Sequence, residues 1–291
     1  MFSGSIVAIV TPMLESGEID YLAYDQLVDW HLRAKTNGIV VAGTTGESTA
    51  LTFDEIENLT KRTLDRVNGQ AKVIVGNGNV SLEKALGLTR RLNLLPIDGY
   101  LTVTPYYVKP NQAGLLQYFT EIANAAEHPI ILYNVPGRTG CDLDNQSVLE
   151  LAKHNNIVAI KDATGDIARA KELIASVGGQ FTLLSGDDET AQSFMELGGH
   201  GVISVTANVA PELMARRCQL TIDNQIAKAR DIDNRLNSLH QALFVDANPI
   251  PVKWLLADMS KIKNILRLPL TPLERGQSQL KAAIEDCAVK N

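Results

Sequence analysis

Lys161 closes a run of four apolar residues, Ile157-Val158-Ala159-Ile160, and is followed by Asp162-Ala163-Thr164-Gly165. A run that short, bounded by turn formers, reads as a buried strand rather than a helix. Its last residue then places an ammonium at the rim of an apolar core. Burial disfavours the charged form, lowers the pKa and frees an amine to attack a carbonyl. A lysine that keeps its head in water is the plainer alternative. Tyr133 ends another apolar run, and a phenol facing the same mouth could pass protons to and from that amine. A core tyrosine with a satisfied hydroxyl is the competing reading. In Gly43-Thr44-Thr45-Gly46-Glu47-Ser48, two glycines flank two threonines after a β-branched run. Backbone N–H groups and hydroxyls in such a turn can hold a carboxylate, although an ordinary strand-to-helix turn has the same composition. Arg138 could hold a second carboxylate bidentately or form a surface ion pair. Tyr106 and Tyr107 fit core, interface or relay roles. An amine nucleophile, a proton shuttle and two carboxylate sites describe a Schiff base to a 2-oxo acid. The protonated imine is an electron sink, and the enamine formed from it attacks an aldehyde.

The elements that must position these groups follow from the hydrophobic pattern. Eight short apolar or β-branched runs recur, at 5–10, 38–42, 72–76, 99–104, 129–133, 157–161, 181–185 and 201–205. Most are separated by room for one amphipathic helix, at 54–67, 82–94, 111–126, 146–153, 167–177 and 189–197. Thr52-Phe53-Asp54-Glu55 matches a capping box, and Ser81 is an N-cap. Strand and helix in alternation predict parallel strands with crossover helices, and eight such units predict a (β/α)8 TIM barrel. An open doubly wound sheet is the alternative, weakened by the lack of a GxGxxG-type turn. In the barrel, chemistry sits at the carboxyl ends of the strands, where Thr44, Thr45, Tyr106, Tyr133, Arg138, Lys161, Gly186 and Ser204 all fall. Residues 208–291 read as helical almost throughout, with helices at 211–220, 224–243, 251–259 and 272–287. The expected organisation is a barrel over 1–224 and a C-terminal helical extension over 225–291.

Composition narrows the function classes. Of 291 residues, 45% are hydrophobic and 21% charged, which suits a sizeable core. Lys and Arg number 27 against 33 Asp and Glu, a net charge of -6, with no basic cluster suited to nucleic acid or an anionic membrane. No signal peptide and no run approaching membrane-span length is read. Cys141, Cys218 and Cys287 are far apart and form no CxxC, which fits a reducing cytoplasm. His31, His128, His154, His200 and His240 include no pair at metal-ligand spacing, so no metal is expected.

Four stretches together resemble the dihydrodipicolinate synthase family: Gly43-Thr44-Thr45-Gly46-Glu47, Thr104-Pro105-Tyr106-Tyr107, Tyr133-Asn134-Val135-Pro136-Gly137-Arg138-Thr139-Gly140 and Ile160-Lys161-Asp162-Ala163-Thr164-Gly165. The similarity runs from Met1 through the Arg267-Leu268-Pro269 region. It implies condensation of pyruvate with L-aspartate 4-semialdehyde, the first step committed to diaminopimelate and lysine. By resemblance, Lys161 forms the imine with pyruvate, and no other cofactor is needed. Tyr133, Thr44 and Tyr107 form a proton relay, with Tyr107 reaching in from a neighbouring subunit of a homotetramer built as two tight dimers. Thr45 helps bind the pyruvate carboxylate, Arg138 binds the semialdehyde's carboxylate, and Gly186 and Ile203 supply backbone contacts. The wider family includes sugar-acid lyases, in which no arginine is expected at the position of Arg138. A related aldolase acting on a sugar acid is therefore the alternative, and a catalytically silent barrel a more distant one. One departure stands out. Lysine-inhibited members bind lysine through a Ser, two His, an Asn, a Glu and a Tyr. This chain keeps Ser48 and Tyr106 but has Phe53, Ile56, Val80 and Lys84 at the other four places. Lys84 would put a like charge beside a lysine ammonium, so weak or absent feedback inhibition is expected. A cleft rearranged around other residues is the alternative.

Overall fold

The structure, a computed structural model, describes residues 2–287. Its strands are β1 (Gly4–Ala8), β2 (Gly38–Val41), β3 (Lys72–Gly76), β4 (Gly99–Val103), β5 (Ile130–Asn134), β6 (Ile157–Asp162), β7 (Thr182–Ser185) and β8 (Gly201–Ser204). Each pairs in parallel with the next, and β8 closes onto β1. That closure makes the chain a (β/α)8 TIM barrel and excludes the open doubly wound sheet. The helices are α1 (Tyr21–Arg33), α2 (Phe53–Val67), α3 (Leu82–Leu92), α4 (Gln112–Ala125), α5 (Pro136–Thr139), α6 (Asn145–Leu151), α7 (Ile167–Ser176), α8 (Ala191–Glu196), α9 (Pro211–Ile222), α10 (Ile226–Ala242), α11 (Ile250–Asp258) and α12 (Gln277–Asp286). Among the described residues no helix is long and apolar enough to cross a membrane.

The strands are apolar on both faces because both faces are covered. Inward-pointing Ile6, Ala8, Val40, Ile74, Leu101, Ile131, Ala159, Leu184 and Ile203 fill the barrel interior. Outward-pointing Val7, Ile39, Val41, Val73, Val75, Leu132, Ile160, Leu183 and Val202 pack under the helices. Burying each large aliphatic side chain contributes roughly 1.5–3 kcal/mol, so the alternation is a strong determinant of register. The helix expectations hold where caps punctuate them. Thr52 Oγ1 accepts from Glu55 N at 3.2 Å and Glu55 Oε2 accepts from Thr52 N at 2.8 Å, completing the capping box of α2. Ser81 caps α3.

Three helix readings need correction. Helix α1 was not anticipated, although Asp20 caps it by accepting from Ala23 N and Tyr24, Leu27, Val28 and His31 line its buried face. The short helical turn α5 interrupts what reads as a loop, with Pro136 pre-set for a first helical position. The last helix starts at Gln277 rather than at 272, because Gly276 lies at φ 94°, outside helical space. Residues 288–291 of the expected helical tail lie outside the described residues.

The C-terminal helices do not stand apart. Leu236, Leu255 and Leu280 share one apolar cluster with Ile9 and Leu27 of the barrel's outer layer. From this side Lys253, on α11, reaches back to the turn after β2, where its Nζ meets Glu47 Oε1 at 2.5 Å and Thr11 O at 2.9 Å. Both charged partners of this pair are fully buried.

Candidate active site

The position of Lys161 depends on one irregularity. Ile130 pairs with Ile157, but Ile131 pairs with Ala159, so β6 carries a bulge at Val158. A register shift of one residue exchanges the two faces of a strand. The bulge therefore sets Lys161 opposite Tyr133, where an unbroken register would set Ile160 there. Both side chains point inward at the carboxyl end, 5% and 6% exposed. Lys161 Nζ lies 4.1 Å from the centroid of the Tyr133 ring. Among the described residues no hydrogen bond within the chain occupies the Tyr133 hydroxyl, which leaves it free to exchange a proton with a bound molecule.

Gly186 follows β7 and sits directly against the lysine. A Cβ there would lie 2.8 Å from Lys161 Cε and 2.7 Å from Ala163 Cβ. Only a glycine leaves the lysine its place. Ile203, on β8, is buried in the interior wall with Ala159 and Leu184. On the opposite face of β6, Asp162 is tied to β5: Asn134 Nδ2 donates to Asp162 Oδ1 at 3.2 Å and to Asp142 Oδ1 at 2.7 Å. Burial pushes the Asp162 carboxyl above its ordinary value, against the bond from Thr164 and the charge of Arg169. This lock fixes the ends of the two strands that carry Tyr133 and Lys161.

The turn after β2 holds the two threonines. Thr44 is half-buried and Thr45 is 2% exposed. Thr11 Oγ1 donates to Gly46 O at 2.7 Å. Glu47, at φ 57°, is clamped between Lys253 Nζ and the backbone N–H of Arg267, the latter at 3.0 Å from Oε2. Burial pushes the Lys253 ammonium below its ordinary value, while the Glu47 charge and hydrogen bond oppose the shift.

Asn248 joins this turn to Arg138. Its Nδ2 donates to Thr45 Oγ1 at 2.9 Å, and its backbone oxygen accepts from Arg138 Nη2 at 3.1 Å. Arg138 itself projects from α5 at the open edge of the mouth. Tyr107 is placed differently. It is 89% exposed, at φ 75°, with its N–H donating to Thr139 O at 3.0 Å. Its own chain does not bring its hydroxyl to Lys161.

Sequence reasoning thus named the lysine, the phenol and the glycine that the structure brings together, and the turn and the arginine that Asn248 joins. It missed Asn134, Asn248, Lys253 and Glu47's partnership with it. Lys253 carried a signal: it is the lone basic residue within Ile250-Pro251-Val252-Lys253-Trp254-Leu255-Leu256, an apolar helix where a lysine needs a buried partner.

The six residues singled out for the second cleft also come together. Ser48, Phe53, Ile56, Val80, Lys84 and Tyr106 line one cavity of about 450 Å³. Among the described residues no acidic side chain lines it. Asn79 does, but its Oδ1 already accepts from Ser81 N at 3.0 Å. Among the described residues no group of three or more His, Cys, Asp or Glu side chains is placed to hold a metal ion.

A buried lysine beside a strand-five tyrosine, at the carboxyl mouth of an eight-stranded barrel, defines a Schiff-base lyase. The sequence profile of the dihydrodipicolinate synthetase family matches residues 1–287, and the chain belongs to that family. It is 50% identical over 286 residues to the 4-hydroxy-tetrahydrodipicolinate synthase of Laribacter hongkongensis, covering 98% of each chain. It is 49% identical over 287 residues to the enzyme of the same name from Escherichia coli K12, again covering 98% of each. Its fold matches the chloride-inhibited dihydrodipicolinate synthase from Acinetobacter baumannii complexed with pyruvate, with a TM-score of 0.97, 46% identity and full coverage of both chains.

Proposed function

We propose that this chain condenses pyruvate with L-aspartate 4-semialdehyde to give 4-hydroxy-tetrahydrodipicolinate, in the diaminopimelate route to L-lysine in the cytoplasm. The observation that carries the reading is the pairing of Lys161 with Tyr133 at the barrel's mouth. Lys161 Nζ attacks C2 of pyruvate, and the carbinolamine loses water to give a protonated imine. Loss of a C3 proton yields the enamine, whose C3 attacks the aldehyde carbon, and the new alkoxide takes up a proton. The amino group of the bound semialdehyde then displaces Lys161 from C2, closing the ring and freeing the lysine. Tyr133 and Thr44 pass the protons, assisted by Tyr107 of a neighbouring copy. Thr45 donates to the pyruvate carboxylate, and Arg138 holds the carboxylate of the semialdehyde. The backbone at Gly186 and Ile203 lines the imine. No metal or organic cofactor takes part in these steps.

The exposure of Tyr107 and of Val108, 89% and 58%, supports a partner copy over this loop, within a homotetramer of two tight dimers. Arg138 at the mouth favours a small carboxylated aldehyde over the sugar of the related lyases. The cavity around Lys84 favours weak or absent inhibition by lysine, because its lining offers an incoming ammonium one cation and no carboxylate. Borohydride reduction in the presence of pyruvate, followed by peptide mapping, is expected to label Lys161. An adduct on another residue would overturn the mechanism. Coupling to a dihydrodipicolinate reductase then tests the second substrate, with N-acetylmannosamine and aldohexoses as the competing aldehydes.

A further inference from the structure

We infer that Asn248 is a specificity-determining residue of the mouth: its amide N–H orients the Thr45 hydroxyl, and its carbonyl oxygen receives the ammonium of the aldehyde substrate. The inference rests on the proposed second substrate, an α-amino acid semialdehyde. Asn248 is 5% exposed, between α10 and α11, and each of its polar groups faces a different task. Nδ2 donates to Thr45 Oγ1 at 2.9 Å. The backbone oxygen accepts from Arg138 Nη2 at 3.1 Å. Among the described residues Oδ1 is buried and has no hydrogen-bond partner. A buried acceptor without a partner is disfavoured, so a donor from the ligand would satisfy it.

The direction of each bond matches the chemistry. A hydroxyl has one proton and two lone pairs. Once Thr45 accepts from Asn248, its proton is free for an acceptor, and a carboxylate is an acceptor only. Oδ1 is likewise an acceptor only, suited to an ammonium and unsuited to a second carboxylate. An α-amino acid carries its ammonium on the same carbon as its carboxylate. A carboxylate held by Arg138, whose guanidinium rests on Asn248's own backbone, brings that ammonium to the Asn248 side. A buried polar group built to bind one substrate group rejects the analogue that lacks it.

The test compares L-aspartate 4-semialdehyde as substrate with succinate semialdehyde, the same aldehyde acid without the amino group, as competitive inhibitor. Wild type and the full-length variants Asn248→Ala and Asn248→Asp are used, each first checked for imine trapping with pyruvate and borohydride. Asn248→Ala is expected to lower kcat/KM for the aspartate semialdehyde at least about tenfold. The inhibition constant of succinate semialdehyde stays within about threefold, because the backbone contact to Arg138 remains. Asn248→Asp has two acceptors and no donor, so Thr45 must donate to it. The KM for pyruvate rises, while the preference for the amino-bearing aldehyde persists. Equal weakening of both aldehydes in Asn248→Ala, or of neither, would overturn the inference. Failure of the wild type to turn over aspartate semialdehyde would overturn the functional reading itself, and is seen before any variant is made.

Discussion

Two sites lie beside the turn after β2, the barrel's mouth and the cavity around Lys84, and they are built by different rules. On one side Thr44 and Thr45 follow β2 at the same end of the barrel that carries Lys161 and Tyr133; on the other Ser48 lines the cavity with Lys84 and Tyr106. In the mouth the chemistry-bearing atoms are fixed by backbone register: the bulge at Val158 aims Lys161, and the space at Gly186 receives it. Among the described residues the one charged side chain lining the second cavity is an exposed lysine on the first turn of α3. Preorganised groups supply catalysis because their geometry is settled before substrate arrives. A site whose charge sits on an exposed, solvated side chain can change ligand preference with little effect on the fold.

The sharpest break of this comparison removes the proposed nucleophile. Lys161→Ala is expected to lower kcat/KM by more than about a thousandfold and to abolish the borohydride adduct, read by intact mass. Tyr133→Phe keeps the packing and removes the hydroxyl; a loss of about 10²–10⁴-fold is expected, with slowed imine trapping in stopped-flow. Gly186→Ala inserts one methyl against Lys161 Cε and tests register without touching a reactive atom. A displacement of the amine on this scale costs about a hundredfold in kcat, and circular dichroism should report an unchanged fold.

The clamp behind the turn tests stability instead. Lys253→Met leaves Glu47 buried without its cation, at a cost of about 3–5 kcal/mol, read from the urea midpoint. Glu47→Gln in the same chain should restore part of it. The outer part of the clamp is pH-sensitive. Hydrogen bonds from Arg267 hold the Glu55 carboxyl at about 2, below its ordinary 4.5. A depressed folded-state value stabilises the chain above the ordinary value and is lost as pH falls from about 4.5 toward about 2. Glu55→Gln should flatten that part of the acid-unfolding curve.

These contrasts also say what was legible in the sequence. All eight strands could be read because strands buried on both faces are continuous apolar runs. The bulge at Val158 could not, since Val158 and its neighbours look alike in an unbroken run. Helix α1 escaped because Leu22 and Trp30 blur its apolar face, although Asp20 marked its start. Local motifs exposed the strand-end residues. Asn248 lies 203 positions from Thr45, and no local pattern announces that contact. The Asn248-Pro249-Ile250-Pro251 stretch reads only as a helix break until the barrel brings it to the mouth.

The smallest effect is expected where the comparison began, in the second cavity. Millimolar lysine should slow the wild type weakly or not at all, since the ammonium of an incoming lysine meets the Lys84 cation and no carboxylate among the described lining residues. Lys84→Glu reverses that charge. Because position 84 is exposed, water and salt screen the gain, and a single exposed pair is worth about 0.2–1 kcal/mol. The variant should therefore acquire only a several-fold increase in lysine sensitivity, stronger at low ionic strength and fading in added salt. A wild type half-inhibited below about 1 mM lysine, an affinity of roughly 4 kcal/mol, would show that the cavity supplies binding groups other than these, with Asn79 the first to test. An unchanged response in Lys84→Glu, with Phe53, Ile56 and Val80 still in place, would instead assign the insensitivity to the apolar lining rather than to charge.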